Sequence, residues 1–77
     1  MKIDETYHIK KVSNSFVLCK EEKEFKPKES IGDVLELYIG ESVENCNLNS
    51  TIEKIDFLIN TCNYAKQFYN QYEPELL

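Results

Sequence analysis

Thiolate nucleophile and zinc-type chemistry would draw on His8, Cys19, Cys46 and Cys62, the one histidine and three cysteines of this sequence. A thiolate beside a histidine base is the minimal pair for covalent catalysis. Residues 6 to 20 alternate as a β-hairpin, Thr6 to Val12, a turn at Ser13-Asn14, then Ser15 to Lys20. Asn14 is the turn residue that tolerates a left-handed backbone. A two-residue turn sets Ile9 against Leu18, Lys11 against Phe16 and Tyr7 against Lys20, which gathers Tyr7, Ile9, Phe16 and Leu18 on one face. His8 then falls opposite Cys19 on the face turned away from that core. The pairing is right for a Cys/His nucleophile, but an orienting third group, an oxyanion donor and a cleft are all missing from the pattern. Adding Cys46 and Cys62 completes a Cys3His set, yet no two of these ligands lie two to four residues apart, the spacing by which one turn presents a zinc-binding pair. The cysteines therefore read as reduced, packed thiols, with no disulfide framework and no metal.

Other catalytic constellations fare no better. Gly32 and Gly40 are isolated, so there is no glycine-rich loop to cradle phosphate. Carboxylates are plentiful, but nothing seats two of them in an apolar pocket where one would stay protonated. The sequence predicts a non-enzymatic protein with no cofactor. Lys10, Lys11, Lys20, Lys23, Lys26 and Lys28 make the hairpin end basic, and Tyr7, Phe16 and Phe25 have faces that stack on unpaired bases. Against a nucleic-acid role, those rings are needed for the core, Glu21, Glu22 and Glu24 interrupt the lysines, and the chain has no arginine to read guanine or grip phosphate.

Seventy-seven residues specify one small domain, residues 1–77, near the lower size at which a chain folds unaided. Its formal charge of -5 is uneven: 7 Lys and 5 acids in residues 1–28 give +2, and 2 Lys and 9 acids in residues 29–77 give -7. Within the acidic part, Glu29, Asp33 and Glu36 are spaced to share one side of a helix, and Glu41 and Glu44 extend the row beyond it. Acids in a first turn answer the helix dipole; a row of five can also compete with phosphates for a basic surface on another protein. The N-terminus has no apolar signal region, and the longest apolar run, Phe16 to Cys19, is far too short to span a bilayer. A cytoplasmic protein without membrane attachment is expected.

The remaining elements follow from periodicity and caps. Glu24-Phe25-Lys26 reads as a short third strand stopped by Pro27. Ser30 is an N-cap, and Ile31, Val34, Leu35 and Tyr38 line one side of a helix over 30–40 that Gly40 can stop. A fourth strand over 34–39 is the rival reading. Glu41 to Asn49 is a polar loop. Ser50-Thr51-Ile52-Glu53 is a capping box that opens a long helix running to about Tyr72, before Pro74, with a weak point at Asn60 to Asn63. On it, Ile52, Ile55, Ile59, Cys62 and Tyr69 mark the core stripe, widened by Leu58, Ala65 and Tyr72. Phe57, Tyr64 and Phe68 fall on an arc beside that stripe. Together the apolar positions sweep roughly 240°, whereas a helix on one core shows little over 100°. Either the hairpin and the first helix cover both flanks, or Phe57, Tyr64 and Phe68 form an exposed aromatic interface for a partner or a second copy.

The expected architecture is α+β: a small N-terminal antiparallel β-hairpin or three-stranded sheet, a short helix, and a long C-terminal helix packed across the sheet. By elimination the chain reads as a small acidic protein-binding module, an inhibitor or regulatory subunit that occupies a basic surface of a partner through Glu29, Asp33, Glu36, Glu41 and Glu44 and the Phe57/Tyr64/Phe68 patch. In size, acidity and lack of a catalytic set it resembles the small inhibitor proteins that phages use against host defences, a likeness of type carried by no motif. The alternatives are a homodimeric structural domain and a weak binder of RNA or single-stranded DNA through the lysine-rich hairpin.

Overall fold

The structure, a computed structural model, describes the backbone of residues 1–76 and the side chains of residues 1–71. Three antiparallel strands in the order β1-β2-β3 precede two helices: β1 (Tyr7–Val12), β2 (Ser15–Lys20), β3 (Lys23–Glu24), α1 (Ile31–Glu44) and α2 (Thr51–Leu76). The hairpin has the expected register, with Ile9 opposite Leu18, Lys11 opposite Phe16, Tyr7 opposite Lys20 and His8 opposite Cys19. At its turn Ser13, not Asn14, takes the left-handed conformation, with φ 54°, and Glu21 does the same before β3, with φ 55°. A positive φ at the first turn residue alone suits the right-handed twist of paired strands as well as one at both does.

The third strand is Lys23–Glu24, starting one residue and ending two residues before the expected Glu24-Phe25-Lys26. Phe25 N–H still donates to Leu18 O at 2.9 Å, and Phe16 and Lys28 exchange two bonds of 2.8 Å, so the central strand β2 is partnered on both edges. On the outer edge of β1, the Met1 ammonium donates to Ile9 O at 2.6 Å and Ile9 N–H donates to Met1 O at 2.7 Å. Met1 thus covers part of the outer edge of β1, and the opposite edge strand is only two residues long, both of which blunt the sheet against further pairing.

Residues 34–39 are helix, not strand. Ser30 Oγ accepts from Asp33 N–H at 3.1 Å, and Ile31, Val34, Leu35 and Tyr38 are all buried at helical spacing. Helix α1 passes through Gly40 and ends at Asn45, whose amide Nδ2 donates to Glu41 O at 2.8 Å. Helix α2 opens at Ser50, whose Oγ accepts from Glu53 N–H at 3.4 Å, and runs unbroken through Asn60 to Asn63. Thr61 does not break it because its hydroxyl donates to Phe57 O, 2.8 Å away in the preceding turn. The helix also continues past Pro74 to Leu76, with Pro74 forgoing one backbone N–H bond. The side chain of Tyr72, placed on the stripe above, lies outside the described residues.

The core joins Ile3, Tyr7, Ile9, Phe16 and Leu18 to Ile31, Val34, Leu35 and Tyr38 of α1, and to Ala65 and Phe68 of α2. Tyr7 and Tyr38 meet edge to face with centroids 5.3 Å apart. Helix α1 packs directly on β2, and α2 packs along α1. On the outer face of the sheet Val17 and Cys19 are also buried. There an ion pair between Lys10 and Glu24, at 3.4 Å, crosses over β2 from one neighbouring strand to the other, and its aliphatic stems give apolar cover. Among the described residues, no helix is long and apolar enough to cross a membrane.

Candidate protein-docking face

Helix α2 carries apolar residues on two opposite sides. At 100° per residue, Phe57, Thr61, Tyr64 and Phe68 fall within about 60° of one another, and Ile52, Ile55 and Ile59 fall within about 60° on the far side. The fold takes the aromatic side. Phe68 is 5% exposed, Ala65 and Thr61 are buried, and Phe57 is half-buried. Small residues at 61 and 65 let α1 approach the helix closely. The polar atoms of this side have partners, Thr61 in its own helix and Tyr64 Oη donating to the Ile3 carbonyl.

The roles expected for the two sides are therefore exchanged. Phe68 lies in the core and is closed to a partner, Phe57 is open only in part, and Tyr64, although 46% exposed, is anchored through its hydroxyl. The excess apolar surface inferred from the helix is present, but at other residues: Ile52 is 68%, Ile55 47%, Leu58 39% and Ile59 52% exposed. The signal that separates the two sides in the sequence is the pair Thr61 and Ala65. Small residues between aromatic ones mark a packed seam, whereas the isoleucine side lacks them.

At Cys62 the isoleucine strip runs into a groove of about 350 Å³ between the helices, floored by Leu35, Ile39, Cys62, Ala65 and Tyr69 and bounded by Glu36 and Lys66. Of the acidic row, Asp33, Glu36 and Glu44 share the outward side of α1 with Gly40, and Glu29 lies exposed just before the helix. Glu41 and Glu44 are inside α1, not beyond it. Glu41 is turned out of the row: its charge acts on Tyr7, and its carboxylate accepts from Asn45 Nδ2 at 3.4 Å. Lys28 borders a shallow hollow with Asp33, Glu36 and Leu37 and partly offsets the row there.

The other sequence candidates are committed to the fold. In a groove lined by Asp4, Tyr38, Phe57, Thr61 and Tyr64, Asp4 Oδ1 accepts from Thr6 and Tyr7 N–H at 2.8 Å each and Oδ2 accepts from Tyr38 Oη at 2.9 Å. Burial, reinforced by the Asp4 carboxylate, pushes the Tyr38 phenol well above its ordinary value, so it stays a neutral donor. Cys19 faces His8 across the hairpin but is buried, and burial together with the Glu24 charge raises its pKa, which keeps it a thiol. Cys46 is half-buried and Cys62 exposed, both free. Among the described residues, no three His, Cys, Asp or Glu side chains gather where they can hold a metal ion. On the hairpin, Lys11 sits 5.8 Å over Phe16, Lys20 5.8 Å over Tyr7 and Lys23 4.7 Å over Phe25. The rings that base stacking requires are thus capped by the chain's own lysines, and Tyr7 and Phe16 are buried.

Comparison with protein-family models, curated proteins and solved structures finds no match. The geometry of the face is what a functional reading has to work from.

Proposed function

We propose that the protein is a non-enzymatic protein-binding module, an inhibitor or regulatory subunit, and that it engages a partner with a basic surface through the isoleucine side of α2 and the acidic outer side of α1. The observation that carries this reading is the exposure of four aliphatic side chains, Ile52, Ile55, Leu58 and Ile59, on one continuous helix. Scattered apolar residues on a surface need no explanation, but a contiguous strip beside a row of one charge sign is the composition of a docking site.

The test compares capture by the native chain with capture by Ile59→Asp and by the double variant Asp33→Lys/Glu36→Lys, at low and high salt. A genuine partner is lost with both variants and weakened as screening rises. A protein retained equally by all three, at both salts, is not held by this face. A second reading, a homodimer, is supported by the 3-4-3 spacing of Ile52, Ile55, Ile59 and Cys62, the a/d pattern of paired helices. Sedimentation of native chain and Ile59→Asp decides it: self-pairing predicts a dimer in the first and a monomer in the second.

A further inference from the structure

The form and charge of the face define the chemistry of what fits it. We propose that the α1–α2 groove, with the isoleucine strip that enters it, receives an amphipathic helix of a partner protein that is lysine- or arginine-rich along the flank meeting α1. This deepens the protein-binding reading and rests on it.

Two helices packed side by side leave a furrow between them, and a third helix with an apolar stripe is the element that fills such a furrow. Here the floor is apolar (Leu35, Ile39, Cys62, Ala65) and continues along α2 through Ile59 and Ile55. The α1 rim is acidic. Glu36 stands at the groove edge with Asp33 and Glu44 on the same outward side, and α1 contains no lysine. The α2 rim is nearly neutral, with exposed amides at Asn63, Gln67 and Asn70 and with Asp56 offset by Lys66. Negative potential on one rim and not the other specifies an occupant that is basic along one flank.

A second copy meets this charge pattern poorly. A two-fold that lays α2 antiparallel on its twin brings equivalent flanks together, so each acidic rim faces the other and Asp56 approaches Asp56 near the axis. A two-fold along the helix instead stacks Lys66 on Lys66, because 66 continues the seam of Ile52 and Ile59. Both arrangements place like charges in contact with a total charge of -5 on each copy, whereas a basic helix meets neither penalty.

The test titrates the full chain into three labelled synthetic peptides of about 18 residues, enough for a helix of several turns. One is an amphipathic helix with a leucine stripe and a lysine flank. Its twin carries glutamate in place of lysine, and the third is a scramble of the first. Fluorescence anisotropy is expected to show the lysine peptide binding about tenfold or more tighter than either control and weakening between about 50 and 500 mM salt. Ile59→Asp is expected to lower its affinity about tenfold or more, and Asp33→Lys/Glu36→Lys to erase its advantage over the glutamate twin. Amide shifts in the native complex should map to residues 32–44 and 52–69. Equal binding by the twin or scramble, no binding, affinity untouched by Ile59→Asp, or shifts mapping to the hairpin each overturns the proposal. So does a dimer of the free chain that Ile59→Asp dissociates, since the occupant is then a second copy. A photo-crosslinker at position 59 in source lysate separates the two levels. A specific adduct alongside a failed peptide titration sinks the helix proposal and leaves the binding module standing; failure of both sinks both.

Discussion

Phe68 and Ile59 lie on opposite sides of α2, about two and a half turns apart, and their removal tests which side of the helix faces the core. Phe68 is 5% exposed and belongs to the main cluster; replacing a buried phenylalanine by alanine costs about 3–5 kcal/mol through lost transfer energy and the cavity left behind. Ile59 is 52% exposed, so it gains about half of the 1.5–3 kcal/mol of full burial. The better helix propensity of alanine offsets about 0.4 kcal/mol of that loss, leaving a net cost below about 1 kcal/mol. A chain of this size has a total stability of about 4–12 kcal/mol. Phe68→Ala is therefore expected to remove about a quarter or more of it and to lower the melting temperature by about 12 °C or more, against a few degrees for Ile59→Ala. Urea unfolding followed by far-ultraviolet circular dichroism measures both, with the slope unchanged in a two-state transition. Equal costs, or a larger cost at Ile59, mean that α2 is turned about 180° from the orientation described, and the docking face goes with it.

Three further outcomes are expected. A Cβ added at Gly40 meets nothing within 4 Å on the exposed side of α1, so Gly40→Ala should stabilise the chain by about 1 kcal/mol and raise its melting temperature by about 4–8 °C; a loss of stability would mean that Gly40 is not in regular helix. The raised phenol of Tyr38 makes the fold sensitive to alkali. Its contribution is present in full below the unfolded value of about 10 and falls at higher pH, because the unfolded chain releases a proton that the fold retains, at up to about 1.4 kcal/mol per pH unit. Urea midpoints above pH 10 should drop less steeply in Tyr38→Phe than in the native chain; parallel slopes would show that another group governs the loss. In α2, residues 51–60 have no buried side chain, whereas Thr61, Ala65 and Phe68 are buried. Amide hydrogens of the first ten residues should exchange faster than those of residues 61–68, and uniform protection would contradict an unbacked first half.

Period 2 made the hairpin register readable, because one residue of slip would send Tyr7, Ile9, Phe16 and Leu18 to the wrong face. Ser30 and Ser50 made both helix starts readable for an equally local reason, a hydroxyl three residues before an amide that needs an acceptor. The end of α1 was not readable at Gly40, since a glycine stops a helix only where the backbone turns left-handed, and at Gly40 it does not. Asn45 stops it instead, by bonding back to Glu41. The orientation of α2 was hidden for a different reason. With aliphatic residues on one side and aromatic ones on the other, periodicity identifies two candidate faces and does not rank them. The choice is made by tertiary partners, among them a carbonyl at Ile3 that lies 61 positions away from Tyr64.

That choice bears on function. The aromatic side contains two hydroxyls that would cost free energy if buried without acceptors, and the fold supplies an acceptor for each. Ile52, Ile55 and Ile59 have no side-chain polar atom, so a partner can cover these three with apolar groups alone, leaving only Lys66 at the end of the strip to be met by a polar group or water. Among the described residues, a sheet of three short strands with α1 already lying on it offers no further element to set against that side. Ten residues of helix are marginal in water without packing, and the first ten of α2 are held mainly by continuity with the seam at Thr61, Ala65 and Phe68. An occupant of the strip would therefore gain apolar contact and also steady a helical segment that the isolated chain leaves half supported, which favours a helix-sized ligand over a small molecule.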